Sequence, residues 1–419
     1  MSGAPEQASF SRAEWTKLAI LALATAVGAT GLAAGGTAGA LLGADLAGSD
    51  AAAGVPLGLL VVGSAASAPL ISYLTPRLGR ERSLALGYFV GAIGAEVVVI
   101  AAVAESLTVL LVGSVLVGAA NAAIFLTRYA AADGVRSRVR GRALGTVFFA
   151  TALGAIASPL LLGPSGDLAE LMGLPRLSGL YLVATAAFAI AGLTLVAASP
   201  SPVRDSTQIT HHELLAGLRV KGARASLLIL GASNFVMVGV MAVAPVHMTE
   251  HAHHHLQFVG IVISLHVAGM FAPSPISGWL ADRIGPIAVA TIGFVFVVVA
   301  GLAGVFVDLE SGAGITALLV LLGLGWNFGI VGGSTLLTAS TAPRLRPHAE
   351  GIGEVAMGLA AGLGAPIAGV LVAGGGFVSM WLAGAAVAIG AGAYMLRTTH
   401  GRLVLAGASG TGASPSRLT

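Results

Sequence analysis

Long apolar runs alternate with short polar segments from one end of this chain to the other. The runs fall at 17–42, 53–75, 83–104, 107–131, 143–164 and 177–198, then, past a polar stretch, at 224–247, 257–277, 286–307, 313–338, 351–373 and 376–396. A helix needs roughly 20 mostly apolar residues to cross a bilayer, and each run reaches that length. The pattern predicts an all-α membrane protein of twelve transmembrane helices in two six-helix halves. Residues 1–198 form the first half, 199–223 a linker, 224–397 the second half and 398–419 a tail expected to be disordered. The first run, Thr16 to Leu42, resembles a signal peptide in composition. It exceeds the roughly 7–15 residues of a signal h-region and other spans follow, so it reads as a retained span.

Composition removes the soluble alternative. Of 419 residues, 56% are hydrophobic and 9% charged, against about 25% charged in a soluble domain. The 60 glycines fit helices that pack closely in lipid, where small residues sit at the contacts. With no cysteine, disulfides are excluded, and a metal would have to use His, Met or carboxylate. The net charge of +3 matters less than its placement, because Lys and Arg stay on the cytoplasmic side of membrane proteins. With both termini cytoplasmic, Arg12, Lys17, Arg77, Arg80, Arg82, Arg136, Arg138, Arg140, Arg142, Arg204, Arg219, Lys221, Arg224, Arg283, Arg344, Arg346 and Arg397 all fall inside. Arg176 alone falls outside, and acids such as Asp45, Glu105, Asp167, Glu170, Asp308 and Glu310 occupy the outer loops. A bacterial inner (plasma) membrane location and a monomer are expected, with no nucleic-acid partner.

The loop after the eighth span reads Gly278-Trp-Leu-Ala-Asp282-Arg283-Ile-Gly285. It resembles the G-x-L-A-D-R-x-G signature of the major facilitator superfamily. The equivalent loop of the first half, Ser72-Tyr-Leu-Thr-Pro76-Arg77-Leu-Gly79-Arg80, is a degenerate copy with Pro76 in place of the acid. The resemblance spans the whole chain and implies the major facilitator fold, built from parallel repeats. It also implies a cytoplasmic gate that includes Gly278, Asp282, Arg283, Gly285, Arg77, Gly79 and Arg80. In the fifth span, Gly154-Ala-Ile-Ala-Ser158-Pro159-Leu-Leu-Leu-Gly163 is similar to a family antiporter motif, with Ser158 replacing a glycine.

His and Met are unevenly spread. Between 237 and 270 lie Met237, Met241, His247, Met248, His251, His253, His254, His255, His266 and Met270, ten of the nineteen such residues in the chain. Met237 and Met241 are four apart on span 7, as are His266 and Met270 on span 8, so each pair shares a helix face. At 1.5 Å per residue, Met241 sits roughly 9 Å and Met237 roughly 15 Å below the outer end of span 7. His266 falls about level with Met237. Thioether and imidazole suit Cu(I), and weak neutral ligands permit release. The paired Met-x-x-x-Met and His-x-x-x-Met resemble those of the CcoA-like bacterial copper importers, which implies Met237, Met241, His266 and Met270 as the copper path. His247, Met248, His251, His253, His254 and His255 form a candidate metal entry. No resident cofactor is implied, since copper, or another small solute, is cargo. Met at helical spacing is also ordinary core filler, and a lone buried His also occurs hydrogen-bonded to a carbonyl.

Glu96, inside span 3, is a candidate for proton coupling. Asn121, Asn234 and Asn327 are candidates for cavity lining or helix contact. Arg128 and Asp133 read as a local pair, while Glu350 and Glu354 suit a helix N-terminus. The competing reading is proton-coupled export of a hydrophobic drug or natural product. An enzyme finds no support: His212-Glu-Leu-Leu-Ala216 lacks the second His of a zinc protease motif, and neither a phosphate loop nor a nucleophile elbow is present.

Overall fold

The computed structural model describes residues 10–32, 34, 38–49, 52, 54–199, 209–252 and 256–408. Residues 200–208 of the linker and 409–419 of the tail lie outside the described residues. Among the described residues all regular structure is helical. Ten helical segments among the described residues are long and apolar enough to cross a membrane. The last, Pro343–Thr398, holds 56 residues, about 84 Å as a single helix, far more than a bilayer core of roughly 30 Å.

Gly376 breaks that segment. It adopts φ 67°, ψ −178°, a conformation essentially confined to glycine. The flanking helices then run back past each other along α10 (Lys221–Val246). A Cβ on Gly364 would meet the Phe235 carbonyl at 2.7 Å, and one on Gly384 would meet Val236 at 2.9 Å. Residues on either side of Gly376 thus reach the same level of α10, as a hairpin requires. At the other end of the chain, the expected first span overlaps α1 (Arg12–Ala29) and α2 (Gly39–Ala47).

The first half continues with α3 (Val55–Leu78), α4 (Arg80–Val103), α5 (Leu107–Asp133), α6 (Arg140–Leu160), α7 (Leu162–Leu171) and α8 (Gly179–Ala197). Linker helix α9 (His211–Leu218) opens on a capping box between Thr210 and Glu213. The Thr210 backbone N–H, its hydroxyl and Arg344 hold the Glu213 carboxyl below its ordinary range, and the Arg344 contact (2.6 Å) ties the linker to the second half. That half comprises α10, α11 (Leu256–Phe271), α12 (Ser274–Ile284), α13 (Pro286–Ala303), α14 (Gly312–Ser340) and the bent α15 (Arg346–Ala408). The single span expected at 257–277 is two helices. Pro273 and Pro275 remove the N–H donors that the Gly269 and Phe271 carbonyls would use in a continuous helix; the Phe271 carbonyl accepts from Ser274 Oγ (2.6 Å) instead, and the neighbouring Met270 carbonyl accepts from Asn327 Nδ2 (2.6 Å).

Small residues let helices touch at the backbone. A Cβ on Gly293 would meet the Gly329 nitrogen at 2.6 Å, and one on Gly323 the His266 carbonyl at 2.5 Å. Large apolar side chains are left outward on the bundle, among them Ile93 (60% exposed), Leu193 (60%) and Val370 (75%). Lipid is the solvent that makes such a surface stable.

Candidate functional site

The two halves meet at the basic end, where the α3–α4, α5–α6, α12–α13 and α14–α15 connections lie. There Gly141 of α6 and Gly278 of α12 approach so closely that a Cβ on either would collide with the other's carbonyl oxygen. The carboxylate of Asp282 accepts the backbone N–H of Gly141 (2.7 Å) and Arg142 (3.0 Å) and the Arg142 Nε–H (3.3 Å). An acid thus sits on the N-terminus of α6, where donors are free and the helix dipole favours negative charge. Arg283 turns aside and lies over the Trp279 ring at 5.0 Å. Gly79 and Gly285, at equivalent corners of the two halves, adopt φ 88° and φ 91°.

The first half has no acid at position 76, and its side of the junction is built with the opposite polarity. Arg80 pairs with Glu350 of α15 and lies 3.5 Å from Asp133. Arg346 reaches Asp133 at 3.6 Å. Arg77 donates instead to the Tyr73 hydroxyl on its own helix (2.8 Å).

One turn further into the bundle, Arg128 of α5 is completely buried. The expected local pair with Asp133 does not form. Its guanidinium pairs with Glu354 of α15, donates to Ser334 Oγ (3.1 Å) and the Tyr129 hydroxyl (3.1 Å), and reaches the Phe125 carbonyl (2.6 Å). Its plane also lies 4.4 Å from the Tyr129 ring centroid and 5.2 Å from that of Phe148. Glu350 and Glu354, read from sequence as helix-start acids, therefore both hold arginines of the opposite half. Sequence spacing suggests Asp133 because it is near; the partner chosen is 226 positions away.

Packed in the same core is an aromatic cluster shared by the halves. Phe148 lies 5.8 Å from Phe271 and 6.1 Å from Trp326, and Phe271 lies 5.5 Å from Trp326. Trp326 Nε1 donates to Asn234 Oδ1 (3.1 Å), and Asn234 Nδ2 donates to the Met357 carbonyl (2.8 Å). Asn327, Asn234 and Asn121, which bonds Ser64 (3.0 Å), all bind helix to helix.

The Met and His residues divide between two cores. Met270 is buried in the cluster that contains the inter-half aromatics, and Met237 packs against it. Met241 packs against the separate core of the second half, where Met248 is fully buried. His266 is 1% exposed. Its Nδ1 lies 2.7 Å from the Leu319 carbonyl of α14. A carbonyl only accepts, so Nδ1 carries the proton. Nε2 is buried and has no hydrogen-bond partner, which in neutral imidazole leaves a lone pair presented to its surroundings. The His247 ring stacks on Phe377 at 4.5 Å. The side chain of His251 and the whole of His253, His254 and His255 lie outside the described residues. No group of three or more His, Asp or Glu able to hold a metal occurs among the described residues. Glu96 is exposed on the stripe of α4 that carries Ile93 and Ile100, away from the junction between the halves.

Two halves that meet at one end, a buried polar core between them and a matched pair of glycine corners define a membrane transporter. The Major Facilitator Superfamily model matches residues 18–254 and 226–417, and the chain belongs to that family, whose members are transporters rather than enzymes. It is 35% identical over 385 residues to the uncharacterized MFS-type transporter YddS of Bacillus subtilis (strain 168), covering 89% of this chain and 88% of that one. It is 26% identical over 355 residues to the riboflavin transporter RfnT of Brucella anthropi, covering 81% and 85%. The fold matches a crystal structure of FucP in the outward conformation with TM-score 0.73 at 16% identity, over 93% of this chain and all of that one.

Proposed function

We propose that this chain is a secondary active transporter of a bacterial plasma membrane, with twelve spans and its basic end and termini in the cytoplasm, importing copper as Cu(I) by alternating access. Positive charge retained at one end supports the orientation. Because the halves touch at that end, the conformation described is closed to the cytoplasm. The observation that carries the cargo reading is His266. Metal-binding imidazoles are commonly oriented by donating their other nitrogen to a carbonyl or carboxylate, and His266 donates Nδ1 to Leu319 while its buried Nε2 has no partner. Met270 stands one turn away on the same helix, and Met237 packs in the same core. These supply the thioethers that Cu(I) favours.

The test is copper uptake in cells stripped of their own importers. His266→Ala and Met237→Ala should each lower uptake roughly 10–100-fold at equal membrane abundance, the range seen when a metal site loses support. Uptake equal to wild type in both variants would sink the copper reading.

A second reading is favoured by a separate observation. Phe148, Phe271 and Trp326 form an aromatic cluster shared by the halves, whose ring faces suit a flat heteroaromatic solute. A relative, RfnT, carries the name riboflavin transporter. On this reading the cargo is an organic ring compound, moved inward or exported against protons. Riboflavin flux in the same cells, lost on Trp326→Ala and indifferent to His266→Ala, would establish it.

A further inference from the structure

Coupling alternating access to an ion needs a group that changes the closed junction when the ion binds. Glu354 is placed to be that group. It projects from α15 of the second half and its ion-pair partner, Arg128, belongs to the first. Besides Glu354 and Ser334 of the second half, Arg128 has partners in its own half. The Phe125 carbonyl, the Tyr129 hydroxyl and the Tyr129 and Phe148 rings hold it from its own half. The glutamate is therefore the member whose state decides whether the pair exists.

Four residues earlier on α15, Glu350 repeats the arrangement with Arg80. Carboxylates spaced i, i+4 lie on one helix face, about 5–6 Å apart at Cβ. Glu350 is wholly buried, and its Oε1 has no hydrogen-bond partner. Glu354 keeps 8% exposure, so of the two it is the one that a proton reaches first. A partnerless carboxylate oxygen one turn nearer the basic end can then receive that proton and pass it on.

We infer that Glu354 is the proton-binding site that couples transport to the proton gradient, with Glu350 as the next acceptor toward the cytoplasm. This rests on the transporter reading and its orientation, but not on the identity of the cargo. The step is a plain protonation. The Glu354 carboxylate takes a proton and becomes neutral, its attraction to Arg128 is lost, and the halves part at the basic end. When the proton leaves by way of Glu350, the pair re-forms and the end closes again. Glu96, on the outer face of α4, takes no part.

Other charged and titratable groups face this pair and must be separated from it. They are Arg80 of α4, Tyr129 and Asp133 of α5, Arg140 of α6, Tyr73 of α3, and Arg346, His348 and Glu350 of α15 itself. α10 and α14 present only Asn234 and Ser334. His348 packs edge-on to Tyr73 at 6.5 Å, and although burial lowers its imidazole below the ordinary histidine range, it is the main rival.

The experiment uses the full chain in lipid nanodiscs without any transported solute, so a wrong cargo leaves it intact. Because the chain has no cysteine, spin labels go only where placed: Ser137→Cys and Ala342→Cys, exposed and on opposite halves at the basic end. Pulsed electron resonance reads their separation at pH 8 and pH 5. The proposal expects the short-distance population to shrink at pH 5 in the parent and to be small at both values in Glu354→Gln. It expects an unchanged pH response in His348→Gln and Glu96→Gln. Glu354→Asp, which keeps the charge, should restore the response, separating a coupling role from damage to the fold. A parent whose distances do not move, a Glu354→Gln protein still closing at pH 8, or a response abolished by His348→Gln would overturn the assignment. Should Glu354→Gln fail to fold, Glu354→Asp decides in its place: a shifted pH midpoint of the distance change supports the assignment, and a midpoint equal to the parent's overturns it.

Discussion

Asn327 concentrates the cost of polar groups in a lipid-embedded core into one side chain. Its Nδ2 reaches the Met270 carbonyl and Ser274 Oγ (2.7 Å), and its Oδ1 accepts from Ser277 Oγ (2.7 Å). These groups sit where two prolines interrupt the eighth span, and Asn327, Ser274 and Ser277 are all buried there. Asn327→Leu keeps the volume and removes every bond. Stranding the Met270 carbonyl should cost about 1–3 kcal/mol, read as a lower melting temperature in detergent. Ser277→Ala, which removes a single bond, should cost less. An unchanged melting temperature in Asn327→Leu would refute this role. The sequence marks such residues as unusual, because an amide or charge inside an apolar run is expensive. It does not reveal their partners. Arg128 has Asp133 five positions away and chooses Glu354 across the junction, since burial removes the solvent that a local surface pair would use. The carbonyl partner of His266 is likewise 53 positions distant, and no local pattern encodes it.

At the scale of elements, helices follow directly from apolar length, while their interruptions follow from glycine and proline chemistry. The corners at Gly79 (ψ 159°) and Gly285 (ψ 154°) share one geometry with φ near 90°. Only a residue without Cβ adopts it at low cost. Their equivalence is legible as the repeated loop motif, even though the first copy has lost its acid. Gly285→Ala should destabilise by about 1–3 kcal/mol, seen by thermal melting, although a Cβ there meets nothing within 4 Å. A melting temperature equal to the parent's would show that the corner relaxes freely. The break after Phe271 was less legible. Pro273 and Pro275 announce a disturbance, but whether a span kinks or divides depends on which neighbour supplies the missing bonds, here Asn327 of α14. The hairpin at Gly376 shows the opposite case: two adjacent apolar runs with hardly a polar residue between them are separated by one backbone conformation.

For the whole molecule, repeated apolar runs and one-sided basic loops carry the architecture, because lipid imposes length and orientation on every span. Contacts between the halves are not imposed that way. They belong to one conformation and must be exchanged for others, so the sequence supplies the surfaces without saying which are joined. Those joined here lie at the basic end, and their closest point is Gly141 against Gly278. Gly278→Leu places a side chain against the Gly141 carbonyl and, at 3.3 Å, the Arg142 Cα. Each half keeps its own packing, so the burden falls on the closed junction alone. Overpacking of this kind costs about 1–3 kcal/mol, a shift of roughly 5–150-fold in the opening equilibrium. Ser72 offers a reporter. It is 2% exposed, and a Cβ on Gly351 of the other half would meet its Oγ at 2.6 Å. In an otherwise cysteine-free chain, Ser72→Cys should react slowly with a water-soluble maleimide and faster by that factor once Gly278→Leu is added. Equal rates, with both proteins monodisperse, would mean that the halves do not separate along this seam and that another contact governs access to the core.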